Sequence, residues 1–277
     1  MEIIVGFSAG LLAIAAAILV ARRFRLLDTP NGIKIHRTPV PFTGGLAWVV
    51  ALLLSAPFVH LPFPFIATGM CIWAVGFVDD LWNLSPVLKI AFLCAALAIA
   101  APAMAPNVIA GVAAVVLGAV LINVFNVLDG LDGLAAGTAL FTLLPSALLE
   151  GPTQSIASVT VGFLASFLIL NVSPAKIFLG NQGSFTLGYV IWFVAAYPLV
   201  SVPAYSSAAT FALLWLVPFA NTSFVVVRRL HEGRSILIGD RSHFYDLLWR
   251  RIGLRATVAL FWTASALAAT IAGFIRA

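Results

Sequence analysis

Long apolar runs separated by short polar segments make up most of this chain. Ten runs have the length, about 16 to 22 residues, that crosses a hydrocarbon core of about 30 Å as a helix. The pattern therefore predicts an all-α fold, a polytopic transmembrane helical bundle of about ten spans that forms one membrane domain over residues 1–277. The runs lie at 3–21, 44–58, 62–78, 89–105, 108–128, 134–149, 156–171, 184–200, 207–227 and 256–275.

The composition excludes a water-soluble domain as the main body of the protein. Hydrophobic residues make up 62% of the chain and charged residues 9%, with a mean hydropathy of +1.10. These values lie far from those of soluble domains. The first run has neither a basic segment before it nor a small-residue cleavage site after it, so we interpret it as a retained span.

The distribution of basic residues predicts the orientation. Arg22, Arg23 and Arg25 directly follow the first run, and basic residues next to spans stay on the cytoplasmic side. Both termini are then outside, and every Lys and Arg except Arg276 falls in or beside an inside segment. These segments are 22–43, 79–88, 129–133, 172–183 and 228–255. The net charge of +5 therefore suits membrane lipids and phosphate substrates better than nucleic acid.

Four carboxylates stand at the predicted inner ends of apolar runs. Asp79 and Asp80 end the third run, where they either mark the water boundary or form a paired site suited to Mg²⁺. Asn123, Asn126, Asp129 and Asp132 recur every third residue, which predicts one polar stripe along a helix. That stripe indicates a polar cavity, with a structural network of buried amides as the alternative.

Three further polar segments are candidate phosphate sites. The loop at 28–45 contains Lys34 and His36, which could bind phosphate or only mark the cytoplasmic side. The segment FLGNQGS, residues 178–184, could offer backbone N–H groups to a diphosphate or simply begin a helix near Ser184. Residues 231–253 predict a short amphipathic helix on the membrane surface, preceded by His243, which is either structural or a phosphate donor.

Taken in order, these motifs resemble a known family. From Asp28 to Asp246 the chain is similar to the polyprenyl-phosphate N-acetylhexosamine-1-phosphate transferases, of the glycosyltransferase family 4 type. That group includes enzymes that initiate O-antigen and teichoic acid synthesis and the phospho-muramoyl-pentapeptide transferase. The resemblance implies transfer of a sugar phosphate from a UDP-N-acetylhexosamine to undecaprenyl phosphate at the cytoplasmic face of the bacterial inner membrane. It implies Mg²⁺, with Mn²⁺ as an alternative, and leaves a homodimer open.

The resemblance also implies roles for individual residues. The residues matched to catalysis are Asp79, Asp80, Asp129 and Asp132. His243 is predicted to act with them from its own position before the amphipathic helix. Those matched to substrate binding are Lys34, His36 and Lys89. The polar segments themselves add four predicted substrate contacts, Asn123, Gly183, Ser184 and Arg241. Asn126 and Asn181 are matched to the metal.

Two departures from the family pattern affect this interpretation. Asn181 stands where the family has an Asp that is expected to bind Mg²⁺, and an amide oxygen lacks the charge that makes such a site tight. The segment from His243 to Asp246 replaces a run of histidines and resembles the branch that uses deoxy-N-acetylhexosamines. An impaired member that still binds substrate is therefore one alternative function. A lipid or solute transporter is another, although transporters place their polar groups near the midplane.

Overall fold

The computed structural model describes residues 1–30, 38–105, 107–201, 204–235 and 243–276. In these ranges the protein is helical, as predicted, with thirteen helices and one pair of short strands. The helices are α1 (Glu2–Phe24), α2 (Gly44–Ser55), α3 (Phe63–Trp82), α4 (Pro86–Leu97), α5 (Ala101–Met104), α6 (Val108–Asn126), α7 (Leu134–Leu148), α8 (Gln154–Asn171), α9 (Gly180–Ser201), α10 (Ala204–Leu214), α11 (Leu216–His231), α12 (Phe244–Ile252) and α13 (Leu254–Arg276).

All ten apolar runs fall on helices, but the helices differ in their ability to span a membrane. Within the described residues, five are long and apolar enough, or six if the pair α10 and α11 counts as one span bent by 64°. The apolar helices α2 and α4 have 12 residues each, which at 1.5 Å per residue gives about 18 Å. That is short of a hydrocarbon core of about 30 Å, so the ten-span count stays a prediction.

Helix α9 lies at the centre of the bundle. It packs against α2, α3, α6 and α10, and its aromatic side chains Phe185, Tyr189, Trp192 and Phe193 are all buried. Outer helices such as α1 and α6 expose large apolar side chains instead, among them Leu12 and Val116. A buried centre surrounded by an apolar exterior is the arrangement that lipid as solvent requires.

A short antiparallel pair, which the all-α prediction did not include, leads into α2. The strands are β1 (Leu27–Asp28) and β2 (Val40–Pro41). The Phe178 N–H donates to the Pro41 carbonyl at 2.7 Å, and the Gly44 N–H donates to the Phe178 carbonyl at 2.9 Å. These bonds hold the strand pair and the start of α2 against the segment before α9.

The predicted helical stripe through Asp132 is wrong. Helix α6 ends at Asn126, and residues 127–133 turn before α7 begins. Gly133 has φ +76° at the start of α7, a left-handed conformation that favours glycine. Asp129 and Asp132 therefore lie in a loop, which we call the acidic loop (residues 127–133).

Candidate active site

A cavity of about 770 Å³ opens at the polar end of the bundle. It lies at the meeting point of six parts of the fold: β1, the end of α3, the end of α6, the acidic loop, the start of α9 and the junction of α12 with α13. Its polar lining includes Asp28, Asp80, Asn126, Asp129, Asp132 and Asn181. The structure thus brings together groups from segments more than 100 residues apart in sequence, as Asp80 and Asn181 show.

The charged side chains that line this cavity are all acidic. Four carboxylates line it, and none of the described lining residues is a Lys, Arg or His. A phosphate group brought among four carboxylates is repelled unless a cation intervenes. Lys34, His36 and Arg241, which we predicted to bind substrate, lie outside the described residues, so their roles stay predictions.

Asp80 holds the first turn of α9. Its Oδ1 accepts the Asn181 N–H at 2.8 Å, and its Oδ2 accepts the Gln182 N–H at 3.2 Å. The first N–H groups of a helix have no partner within the helix, and the dipole there favours negative charge. Asp80 therefore satisfies two such donors from a neighbouring helix and fixes residue 181 at the cavity wall.

Asp79, the other member of the acidic pair, points away from the cavity. Its buried carboxylate accepts the Leu84 N–H at 2.9 Å and pairs with Lys89 Nζ at 2.8 Å. The Lys89 ammonium also lies 5.4 Å from the centre of the Phe185 ring. Since neighbouring helical residues point about 100° apart, the pair divides between two environments, and neither Asp79 nor Lys89 lines the cavity.

The end of α6 and the start of α9 are joined by amide hydrogen bonds. Asn126 Nδ2 donates to Asn181 Oδ1 at 3.0 Å and to Ser184 Oγ at 2.7 Å. With both donors used in this way, Oδ1 of Asn126 is the atom left for a ligand. The two residues matched to the metal are thus adjacent at the cavity.

Asp129, in the acidic loop, is the most exposed of the carboxylates that line the cavity. No hydrogen bond to the Asp129 side chain is present among the described residues, and the side chain is exposed to the cavity. Burial within the cavity and, after it, the negative charges of Asp80 and Asp132 together raise the pKa of Asp129 to about 7. Asp132 Oδ2 accepts the Ala175 N–H at 3.0 Å.

Asn171 is a site residue that the sequence did not reveal. It ends α8, is buried and lines the cavity. Its Oδ1 accepts the Gly133 N–H at 3.2 Å, and its Nδ2 donates to the Ile177 carbonyl at 2.8 Å. It therefore ties the acidic loop to the segment before α9. A lone polar residue at the end of an apolar run was the only available signal.

Gln182 was also missed, although it follows Asn181 directly. Its buried side chain accepts the Trp73 Nε1–H at 3.0 Å and donates to the Phe42 carbonyl at 3.1 Å. These bonds join α9 to α3 and to the segment before α2. The polar dipeptide at 181–182 in an apolar helix start was the signal that could have found it.

Three other candidates lie outside the cavity lining. Asn123 Nδ2 donates to the Ala119 carbonyl of its own helix at 2.9 Å. Gly183 lies buried where α9 meets the backbone of Gly45. His243 is the N-cap of α12, forms a capping box with Asp246 and stacks its ring on Tyr245. The structure gives these residues structural positions, and their direct roles stay predictions.

The donor set of the cavity suits Mg²⁺. No group of three or more His, Cys, Asp or Glu side chains arranged to hold a metal occurs among the described residues. Mg²⁺ does not need one, because it commonly binds one or two carboxylates together with water and substrate phosphate oxygens. Asp129, Asp132 and the Oδ1 atom of Asn126 supply oxygen donors of this kind.

These features define a helical membrane protein with an acidic cavity at one end of its apolar bundle. The sequence profile of the family described as "Glycosyl transferase family 4" matches residues 62–198, the part that includes the end of α3, the acidic loop and the start of α9.

Three relatives extend the comparison over most of the chain. A decaprenyl-phosphate N-acetylglucosaminephosphotransferase of Mycolicibacterium smegmatis is 33% identical, over 83% of this chain and 70% of the relative. An undecaprenyl-phosphate alpha-N-acetylglucosaminyl 1-phosphate transferase of Thermotoga maritima is 32% identical, over 87% and 78%. A probable undecaprenyl-phosphate N-acetylglucosaminyl 1-phosphate transferase of Bacillus subtilis is 30% identical, over 90% and 77%.

The chain belongs to glycosyl transferase family 4. It is a transferase and a multi-pass membrane protein. The family indicated by the five sequence motifs is confirmed.

Proposed function

We propose that the enzyme transfers N-acetylhexosamine-1-phosphate from a UDP-sugar to undecaprenyl phosphate at the cytoplasmic face of the bacterial inner membrane. An oxygen of the lipid phosphate attacks the β-phosphorus of the UDP-sugar, the bond between that phosphorus and the bridging oxygen breaks, and UMP leaves. The product is a lipid-linked diphospho-sugar. The ten-span arrangement with both termini outside, and a place at the first membrane step of O-antigen-like polysaccharide synthesis, belong to the same proposal.

The observation that supports this proposal most is the convergence of Asp80, Asn126, Asp129, Asp132 and Asn181 on one cavity. A cavity lined by four carboxylates is poorly suited to a bare phosphate and well suited to a diphosphate that arrives with Mg²⁺. The printed names of the relatives, which specify polyprenyl phosphate acceptors and N-acetylglucosamine phosphate transfer, support the same substrate class.

The nucleophile needs little activation. A phosphate monoester has a second pKa of about 6, so the lipid phosphate is mostly a dianion at neutral pH. The main barrier is the repulsion between two anions, which bound Mg²⁺ would reduce by stabilising the charge on the diphosphate. Asp129 and Asp132, with the amide oxygen of Asn126, are the groups that would hold it.

The remaining residues position and shape the site. Asp80 holds the first turn of α9, and Asn171 ties the acidic loop to the segment before that helix. Both act through backbone groups, so they set where residue 181 and the acidic loop lie without needing to touch the reacting atoms. A site whose groups are held in place in this way lowers a barrier because it needs no rearrangement during the reaction.

A direct assay tests the proposal. Purified enzyme with Mg²⁺, undecaprenyl phosphate and a panel of UDP-N-acetylhexosamines should release UMP and form a lipid product whose mass gives the sugar. The panel includes 6-deoxy sugars, because the variant segment at His243 resembles the branch that uses them. Absence of UMP release across the panel, with nucleotide binding intact, would reject the transferase reaction proposed here.

Asn181 favours a second candidate, a member that binds substrate but turns it over poorly. Its amide oxygen already accepts a hydrogen bond from Asn126 and carries no net charge for a hard cation. Asn181→Asp tests this candidate in the same assay. A gain of about tenfold in apparent Mg²⁺ affinity, with higher turnover, would support impaired metal binding in this chain, whereas unchanged kinetics would show that residue 181 is not a ligand.

A further inference from the structure

Tyr245 of α12 lies directly against the acidic loop. Its side chain is buried with 4% exposed, and the phenol covers Gly130, where an added Cβ would overlap the ring and its hydroxyl group. The hydroxyl donates to the Val127 carbonyl oxygen at 3.4 Å. That carbonyl belongs to the C-cap of α6, one of the groups at a helix end that need a partner from elsewhere.

The first turn of α12 fixes the direction of Tyr245. His243 and Asp246 form a capping box at this turn, and the His243 N–H donates to Asp246 Oδ2 at 3.2 Å. The His243 ring stacks on the Tyr245 ring with centroids 5.0 Å apart and an interplanar angle of 1°. The segment that departs from the family's histidine run therefore folds into a cap that aims one phenol at the acidic loop.

The two halves of the acidic loop are held from different directions. On the far side, the Gly133 N–H donates to Asn171 and Asp132 accepts from the Ala175 N–H. On the near side, Tyr245 packs on Gly130, the residue after Asp129. Since the Asp129 side chain has no hydrogen bond among the described residues, the backbone of the loop sets its position.

We propose that Tyr245 is a positioning residue for the reaction, whose ring holds Gly130 and thereby keeps the Asp129 carboxylate at the cavity. This inference rests on the proposed transferase function, in which Asp129 binds the Mg²⁺-diphosphate. Tyr245 does not line the cavity, so it would act through the loop and not on the substrate itself. Small displacements matter here, because moving a reacting group by about 1 Å can cost about 100-fold in rate.

Two substitutions of Tyr245 distinguish the role of the ring from that of the hydroxyl group. Tyr245→Ala removes the ring and should lower kcat by at least about tenfold. Tyr245→Phe keeps the ring on Gly130 and should retain kcat within about threefold. Tyr189→Phe is the matched control, because it removes another buried phenol that donates to a backbone carbonyl, that of Phe65 at 3.1 Å, within the core.

Hydrogen–deuterium exchange provides a readout that does not depend on turnover. In Tyr245→Ala, amides of residues 127–133 should exchange at least about fivefold faster, while Tyr245→Phe and Tyr189→Phe should leave that segment unchanged. If this pattern appears but wild-type enzyme releases no UMP, the proposed function fails and the contact between Tyr245 and the loop stands. If wild type is active and Tyr245→Ala keeps its kcat, the positioning role is overturned.

A double-mutant cycle tests the contact itself. Gly130→Ala should lower kcat strongly in the wild-type background, since the added methyl group overlaps the phenol. In the Tyr245→Ala background the same change should cost much less, giving a non-additive pair. Additive losses would overturn the proposal, because they would show that the two positions affect turnover independently.

Discussion

The end of α3 and the acidic loop each carry two carboxylates, yet they use them differently. At the end of α3 all four oxygens have partners: Asp79 accepts from Leu84 and pairs with Lys89, and Asp80 accepts two N–H groups of α9. In the acidic loop, Asp129 has no hydrogen bond among the described residues. The acidic pair therefore bonds to other parts of the fold, whereas the Asp129 carboxylate stays open to the cavity.

This difference shows that two similar acidic motifs need not share a chemical role. A carboxylate whose two oxygens each accept a backbone N–H has fewer lone pairs free to bind a metal ion or a proton. One that faces a cavity beside other carboxylates is poorly stabilised and gains from a cation. The contrast predicts different consequences for the same Asp→Asn change at each position.

Asp129→Asn should have the largest effect on turnover. Losing the open carboxylate removes a principal charge that would hold Mg²⁺, so we expect kcat/KM to fall by about 1,000-fold or more, with little change in thermal stability. UMP release and thermal unfolding of the detergent-purified protein measure the two quantities. Glu232→Gln is the control, because it changes an exposed carboxylate that pairs with Arg228 and Arg234. Near-normal turnover in Asp129→Asn would show that the open carboxylate is not needed for the reaction.

Asp80→Asn should lower both activity and stability. The amide cannot accept two hydrogen bonds in the way the carboxylate does, so its NH₂ group would face one N–H at the start of α9. We expect about 100-fold lower turnover and a loss of about 1–3 kcal/mol in the free energy of unfolding. Lost turnover at wild-type stability would instead assign Asp80 a direct chemical role.

The pH dependence of Mg²⁺ activation provides a third test. Because the pKa of Asp129 is about 7, the carboxyl is protonated below that pH, and a cation must then displace a proton. Apparent Mg²⁺ affinity should fall by up to about tenfold per pH unit below 7 and level off above it. The stability of the metal-free enzyme should change in the opposite direction. Because the pKa of Asp129 is higher in the folded than in the unfolded protein, the free energy of unfolding should fall as the pH rises from about 4 to 7. A Mg²⁺ affinity that is constant between pH 6 and 8 would contradict this assignment.

Lys89→Met should affect stability more than turnover. It leaves the buried Asp79 carboxylate without its ammonium partner, at a cost of about 3 kcal/mol. The double variant Asp79→Asn with Lys89→Met should recover part of that stability, as measured by thermal unfolding. If either single variant instead loses turnover at full stability, the end of α3 takes part directly in the reaction.

The sequence predicted the helical bundle and a polar cavity that contains Asp129 and Asn126, since apolar runs and polar interruptions are local signals. It placed Asp129 and Asp132 on a helix, because a three-residue spacing does not reveal that α6 stops at Asn126. It grouped Asp79 with Asp80, because adjacency in sequence does not show which way two helical side chains point. Asn171 and Gln182 were missed because their partners are backbone carbonyls and amides brought near only by folding.

The close contact of α9 with α2 and α3 has a practical consequence for engineering. Gly45 and Gly76 leave room for the backbone around Gln182, and a Cβ at either position would overlap it. The first turn of α9 is thus packed directly against the backbones of α2 and α3, so it has little room to move. Libraries that test the proposed metal site can therefore vary residue 181 while keeping both glycines constant, so that a change in activity can be attributed to the side chain at that position.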